Sequence, residues 1–363
     1  MKKDAGVEKI VIFGIYPHQR NIDGEMPLSI IKEQYTDTAL WDAAARACPY
    51  ATFFHSSHWA AVFCEYTGNA MEPSGRLITF SDRKTAVLTL CRQKKAGILT
   101  SFVSSPAGTY GGWVSADELG EEHTRLLVKR LAAFGNIEWR ENPFDPVLRT
   151  VEIPASVDDF TQTADLRNGF EAAYARWSRC HVRSKKKAHG FGVTVRQASD
   201  INDWKRHYEC YRWLRRRWVK ATSDYRWRLF KLLYDAQSPH IILWLAERGD
   251  KLLSSVVCFY WNKHAVAWHG AASPEDFAIR ANHLMYYEIM KDAAQNGYHW
   301  FDMNPSGGNQ GVVEFKAHMG MSKIRSRIII RRKGLLRILG KCKKILSYIP
   351  QVGWMRIRAW KLA

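Results

Sequence analysis

The chain has 363 residues, a formal net charge of +19 and a pI near 9.7. An apolar share of 46% with 13% aromatics is enough for packed cores and excludes a disordered or collagen-like chain, while the charge calls for an acidic partner or surface. No apolar run approaches the length of about 18 residues needed to span a bilayer, and the stretch at 10–15 is too short for a signal peptide, so a cytoplasmic location is expected.

In chain order, a strand is expected at 10–16, followed by a Pro/Gly-containing loop. Helices are expected at 37–47 and 57–66, the first stopped by Cys48-Pro49. Strand-like runs follow at 76–80, 85–93 and 98–103, broken by hairpin-type residues, then a helix at 116–134 and a strand at 136–140. Asn142-Pro143-Phe144-Asp145-Pro146 reads as a boundary. Beyond it come a strand at 149–153, a basic helix near 168–188, a strand at 191–197, and helices at 201–220 and 225–235. A hairpin run at 240–247, 251–261 and 264–271 turns at Gly249-Asp250 and Asn262-Lys263. The pattern closes with a helix at 283–296, a strand at 298–303, a short helix and a strand at 322–331. Antiparallel strands with interspersed helices make an α+β fold. The tail, 333–363, has Leu335, Ile338, Leu339, Cys342, Ile345, Leu346 and Ile349 at helical spacing among lysines and arginines, and Trp354 and Trp360 beyond. It predicts a basic amphipathic helix suited to an anionic membrane surface, with docking of the same face onto the protein's own body as the alternative.

Seven scattered cysteines without a Cys-x-x-Cys pair argue against a disulfide framework. His55-x-x-His58 lacks accompanying cysteines or carboxylates, so no metal is expected. Cys180-His181 shows no third orienting residue, which argues against a covalent nucleophile. Arg176, Arg179, Arg183 and Lys187 fall on one predicted helical face beside Lys185 and Lys186, and Arg215, Arg216 and Arg217 interleave with Trp213 and Trp218. Such mixtures suit a phosphate-bearing ligand with stackable rings, or equally a solvated basic face. A nucleic-acid-binding protein remains an alternative on charge alone, but no helix-turn-helix or zinc signature supports it, and DNA is not expected as a partner.

The most informative stretch runs from Tyr298 to Gly320: an apolar strand closing at Asp302, a turn-rich cluster from Asn304 to Gly311, and a short helix carrying Phe315 and Lys316. Its Phe301-Asp302-Met303-Asn304 and Asn309-x-Gly311-Val312-x-Glu314-Phe315-Lys316-x-x-Met319-Gly320 resemble the C-terminal signature of the FemAB-like branch of the GNAT acyltransferase superfamily. Asn168-Gly169-Phe170-Glu171, Trp177, Arg183, Lys185 to Ala188 and Gly192-Val193-x-Val195 resemble a second segment of that branch. Trp41-Asp42, Pro49, Ala51-Thr52-Phe53-Phe54 and Trp59 resemble its opening.

The resemblance implies two tandem GNAT-like domains with mixed, mostly antiparallel sheets, at 1–147 and 148–332, with 333–363 as an appended tail. It implies an N-acyltransferase that polarises the donor carbonyl with backbone donors from a splayed strand and receives donor phosphates at a helix N-terminus. The strand would carry Trp268, His269 and Gly270, and the helix would begin near Asn282, with Arg280 and His283 beside it. Lys316 would be the catalytic cation, with Asp302 and His269 as further catalytic candidates, and Asn309 and Phe315 would contact the donor. Tyr110-Gly111-Gly112 resembles a motif that lines the acceptor groove, and Arg183, Lys186, Lys187 and Arg216 would bind an anionic substrate. The donor expected is acyl-CoA, with aminoacyl-tRNA as the alternative, although 273–283 lacks the pyrophosphate-loop glycines of ordinary coenzyme A enzymes. The acceptor would be an amine or hydroxyl of an anionic, lipid-linked envelope or polysaccharide precursor, reached by a protein peripheral on the inner face of the membrane. A strict Fem-type peptidoglycan transferase is the alternative within the superfamily.

Overall fold

The computed structural model describes residues 27–95, 99–216 and 224–334. The predicted strand at 10–16 and the amphipathic segment from 335 lie outside the described residues. The first half holds β1 (Ile30–Tyr35), α1 (Thr38–Ala47), α2 (Ser57–Tyr66), β2 (Met71–Pro73), β3 (Arg76–Phe80), β4 (Thr85–Leu88), β5 (Cys91–Lys95), β6 (Leu99–Val103), β7 (Tyr110–Gly111), β8 (Trp113–Val114), α3 (Glu121–Ala133) and β9 (Ile137–Glu141). The second holds β10 (Ser156–Asp165), α4 (Phe170–Tyr174), α5 (Arg179–Gly190), β11 (Thr194–Gln197), α6 (Ile201–Arg215), α7 (Trp227–Asp235), β12 (Ile241–Arg248), β13 (Lys251–Trp261), β14 (His264–Ala272), α8 (Ala281–Gln295), β15 (Trp300–Asp302), α9 (Gln310–His318) and β16 (Ser322–Arg331). The α+β class and the mixed, mostly antiparallel sheets are as the sequence implies.

A small sheet runs β1-β3-β4-β8, and a 12-stranded sheet runs β11-β12-β13-β14-β15-β10-β16-β9-β6-β5-β2 with β7 alongside β9. The large sheet is continuous across both halves because β16 pairs antiparallel with β10 on one side and β9 on the other. Several local readings change. The strand predicted at 149–153 is a short 3₁₀ turn, Leu148–Thr150, and the real strand is β10. The run 85–93 divides into β4 and β5, which belong to different sheets. The single basic helix becomes α4 and α5, because Ser178 caps a fresh start by accepting from the His181 N–H, leaving Arg176 in the turn between them.

The aromatic opening motif is core rather than site. Phe53 stacks on Phe259 at 4.7 Å and 2°, and Trp41 Nε1 donates to the His55 carbonyl at 2.6 Å. Burying such side chains contributes roughly 1.5–3 kcal/mol each, and here it welds the α1–α2 region to β13 and to Phe230 of α7. His55 is buried with Nδ1 on Thr52, whereas His58 is exposed, so the two do not converge on a common point.

Candidate active site

The site grows out of the parting of β14 from β15. The two strands run parallel only from His264 to Val266, against Trp300 to Asp302. There β15 ends, while β14 continues to Ala272 with β13 as its sole strand neighbour among the described residues. The register shifts so that Val257 faces His269 and Cys258 faces Ala267, leaving Trp268 as an extra bulged residue. Asn304 holds the fork open: its backbone is left-handed (φ +57°), which asparagine tolerates, and its Nδ2 donates to the Ala267 carbonyl at 3.1 Å.

Two clefts meet at this fork. One, of about 400 Å³, is lined by Ser255, Gly270, Asn282, Tyr286, Phe315 and Lys316. The other, of about 470 Å³, lies between the 107–109 turn with Arg140 of the first half and Trp268, His269 and Gly270 of the second. They share Trp268, Gly270, Asn304, Pro305 and Ser306. A smaller lobe of about 190 Å³ continues from the first cleft to Arg280, Asn282 and His283 at the start of α8.

Lys316 is only 2% exposed, and its Nζ donates to the Asn304 carbonyl at 2.5 Å. Among the described residues its other two N–H groups have no partner. Burial pushes this ammonium down from 10.5 to about 8, against the opposing charges of Asp302 and Asp159. Asp302 is fully buried and accepts from Thr161 Oγ1 at 2.5 Å, Tyr110 at 2.8 Å and the Asn304 N–H at 3.0 Å. Burial raises its carboxyl above the ordinary range despite those donors. The buried Lys316 ammonium thus faces the first cleft, bonded to Asn304, a residue that both clefts share.

Residues 163–317 match the family described as an acetyltransferase (GNAT) domain. That segment is a GNAT-type acyltransferase domain. The fold is similar to that of FemX, at 13% identity and a TM-score of 0.63, covering 86% of this chain and 99% of that one. It is also similar to a conserved protein of unknown function from Bacteroides thetaiotaomicron VPI-5482, at 10% identity and a TM-score of 0.53, covering 82% of this chain and 99% of that one. No curated protein matches the sequence significantly.

The residues proposed from sequence separate into two groups. Trp268, His269, Gly270, Arg280, Asn282, His283, Phe315 and Lys316 all line the joined clefts. Their local roles differ from those expected in two cases. Asn282 does not cap α8: Arg280 occupies the cap position in the left-handed conformation (φ +66°), and Asn282 Oδ1 instead accepts from Ser254 Oγ. His269 is buried, with Nδ1 at 3.1 Å from His207 Nε2, and His207 Nδ1 lies 2.8 Å from Ser255 Oγ. Burial lowers His269 to about 3, so it stays neutral and is a weak proton acceptor.

The second group lies elsewhere. Asp302 lines none of the clefts; it accepts from the Asn304 N–H, and its charge acts on Lys316. Asn309 is exposed and caps α9 by accepting from the Val312 N–H. Tyr110, Gly111 and Gly112 are buried, and a Cβ on Gly111 would come within 2.8 Å of the Ser104 backbone carbon, so this motif serves close packing. The neighbouring turn, Ala107–Gly108–Thr109, lines the second cleft in its place. Arg183, Lys186, Lys187 and Arg216 are exposed and outside the clefts, since their backbone positions point away from the packed face of each helix. Sequence reasoning missed Ser255, Arg140 and Asn304. Only Asn304 carried a signal, as a turn-tolerant residue directly after a strand.

Proposed function

We propose that the joined clefts transfer an acyl or aminoacyl group from an activated, phosphate-bearing donor to an amine, or less favourably a hydroxyl. The observation that carries this reading is Lys316, a buried ammonium that lines the first cleft, donates to Asn304, which both clefts share, and among the described residues has two unpartnered N–H groups. The donor lies along the open edge of β14, with its phosphates toward Arg280 and the first turn of α8. The acceptor enters from the Arg140 side. Its nitrogen attacks the carbonyl carbon, the C–N bond forms, and the developing oxyanion is met by Lys316. Collapse breaks the bond to the leaving thiolate or ribose oxygen, which takes up a proton, while the attacking nitrogen gives one to solvent.

Acyl-CoA is the favoured donor. Aminoacyl-tRNA is the second reading, supported by the absence of pyrophosphate-loop glycines between Ser273 and Asn282. The acceptor class we infer is an anionic, lipid-linked envelope or polysaccharide precursor, which agrees with the charge of +19 and places the protein at the cytoplasmic membrane face. Among the described residues no helix is long and apolar enough to cross a membrane.

Calorimetry with acetyl-CoA and with aminoacyl-tRNA, on the full chain and on Lys316→Met, tests the donor. Binding of neither by the full chain overturns the donor assignment. Sedimentation with anionic vesicles, with and without residues 335–363, tests the surface. Equal behaviour of the two chains removes the tail from membrane binding.

A further inference from the structure

The sequence offers no spaced metal motif, yet the fold brings the adjacent Cys180 and His181 together with His318, 138 residues beyond Cys180. Cys180 and His181 occupy the first turn of α5, and His318 is the last residue of α9. The two segments are tied by the Ser178 N–H, which donates to the His318 carbonyl at 2.8 Å. Candidate ligand atoms of all three side chains lie within 4.8 Å of one another.

We propose that Cys180, His181 and His318 bind a thiolate-seeking divalent cation of the zinc class. The spacing is the first argument. Cys180 Sγ and His181 Nδ1 stand 3.5 Å apart. Tetrahedral zinc with Zn–S of about 2.3 Å and Zn–N of about 2.0–2.1 Å separates such a pair by about 3.6 Å, so these two ligands need no rearrangement. His318 is exposed, and its side chain is free to close the remaining distance by a rotamer change.

The second argument is the state of His181. Its ring is 7% exposed and held among His283, Phe315 and Trp177, and its Nε2 has no hydrogen-bond partner among the described residues. All of its polar contacts are therefore at this cluster, with Cys180 and with Ser178 Oγ at 3.3 Å. One thiolate and two imidazoles form a donor set for zinc, with a fourth position open to solvent.

His318 is two residues beyond Lys316 on the same helix. An ion here pins the end of α9 to the start of α5 and so fixes the helix that carries the buried lysine. That consequence rests on the function proposed above, whereas the site itself does not.

The test uses the untagged full chain titrated with Co(II) and Zn(II). One equivalent should bind and give the near-ultraviolet absorption of a cobalt–thiolate bond. Cys180→Ser should abolish that band, His318→Ala should weaken binding at least about tenfold, and Cys64→Ser and Lys316→Met should leave both unchanged. Zinc should raise the Tm of the parent and not that of Cys180→Ser. A parent without the band, a band that survives Cys180→Ser, or equal affinity in His318→Ala overturns the site. Retention of the band in an inactive Lys316→Met separates the fate of this site from that of the catalytic reading.

Discussion

The chain holds positive charge in two contrasting ways. On α5, Arg179, Arg183, Lys186 and Lys187 are exposed, and nearby Lys185 rests its ammonium 4.1 Å from the Tyr287 ring centre. Solvent screens these charges, and each contributes little to stability. Lys316 is alone, enclosed and displaced from its ordinary protonation range. A charge that costs the fold free energy and still lines a cleft points to chemistry, whereas a dense exposed stripe points at most to encounter with an anionic partner.

Breaking that contrast starts with Lys316→Met. Turnover should fall by about 10²–10³, the loss seen when one oxyanion donor is removed. The variant should nevertheless melt no lower than the parent. Holding a lysine at about 8 instead of 10.5 costs the native state about 3 kcal/mol at neutral pH. Its folded value is lowered, so between pH 8 and 10.5 the unfolded chain binds more protons, and the stability of the parent rises with pH across that window. Denaturant midpoints at pH 7 and 9.5 should show this rise in the parent and not in Lys316→Met. Activity should move the opposite way, falling above about pH 8 as the cation is lost. A rate that climbs through pH 8 would make Lys316 a base instead.

Arg280→Ala sharpens the contrast with an exposed cation that does line a cleft. It should weaken donor binding about tenfold with kcat nearly unchanged, because a phosphate contact is made equally in ground and transition states. Titration calorimetry decides it, and unchanged affinity moves the phosphates away from α8.

Tyr110→Phe tests the enclosure of Asp302 from the other half of the chain. It removes a 2.8 Å hydrogen bond to a buried carboxylate and should cost about 1–3 kcal/mol in chemical denaturation. The smallest effect is expected from Lys186→Glu with Lys187→Glu, within about 0.5 kcal/mol in stability and less than about twofold in kcat for a soluble acceptor. A larger loss of kcat than that of Lys316→Met would invert the comparison.

Much of this architecture is legible residue by residue. The alternation and turn residues of 240–271 yield β12, β13 and β14 nearly to the residue, and Lys316 stands out within its turn-and-helix segment. β10 is not legible, because Ser156-Val157-Asp158-Asp159 reads as a polar loop. The two acidic residues of that stretch pair with partners from afar, Asp158 with Arg325 on β16 and Asp159 with Arg140 on β9. The same limit hides Arg140, Ser255 and the Cys180–His318 neighbourhood, which exist only once distant segments are brought together. The Tyr110-Gly111-Gly112 motif errs in the opposite sense, since its glycines answer to Ser104 and Trp139 inside the protein.

The position of β16 sets an order of events in folding. It is the last strand in the described chain, yet it lies in the middle of the large sheet with β9 on one side and β10 on the other. Until it is available, both of those strands present unpaired edges, which are templates for association between chains. The high sequence separation of its pairing with β9 adds the slow loop closure of a non-local contact. Synthesis therefore delivers this central strand after every other described strand, and a chain cut short before Ser322 exposes two sticky edges while carrying every residue of the fork.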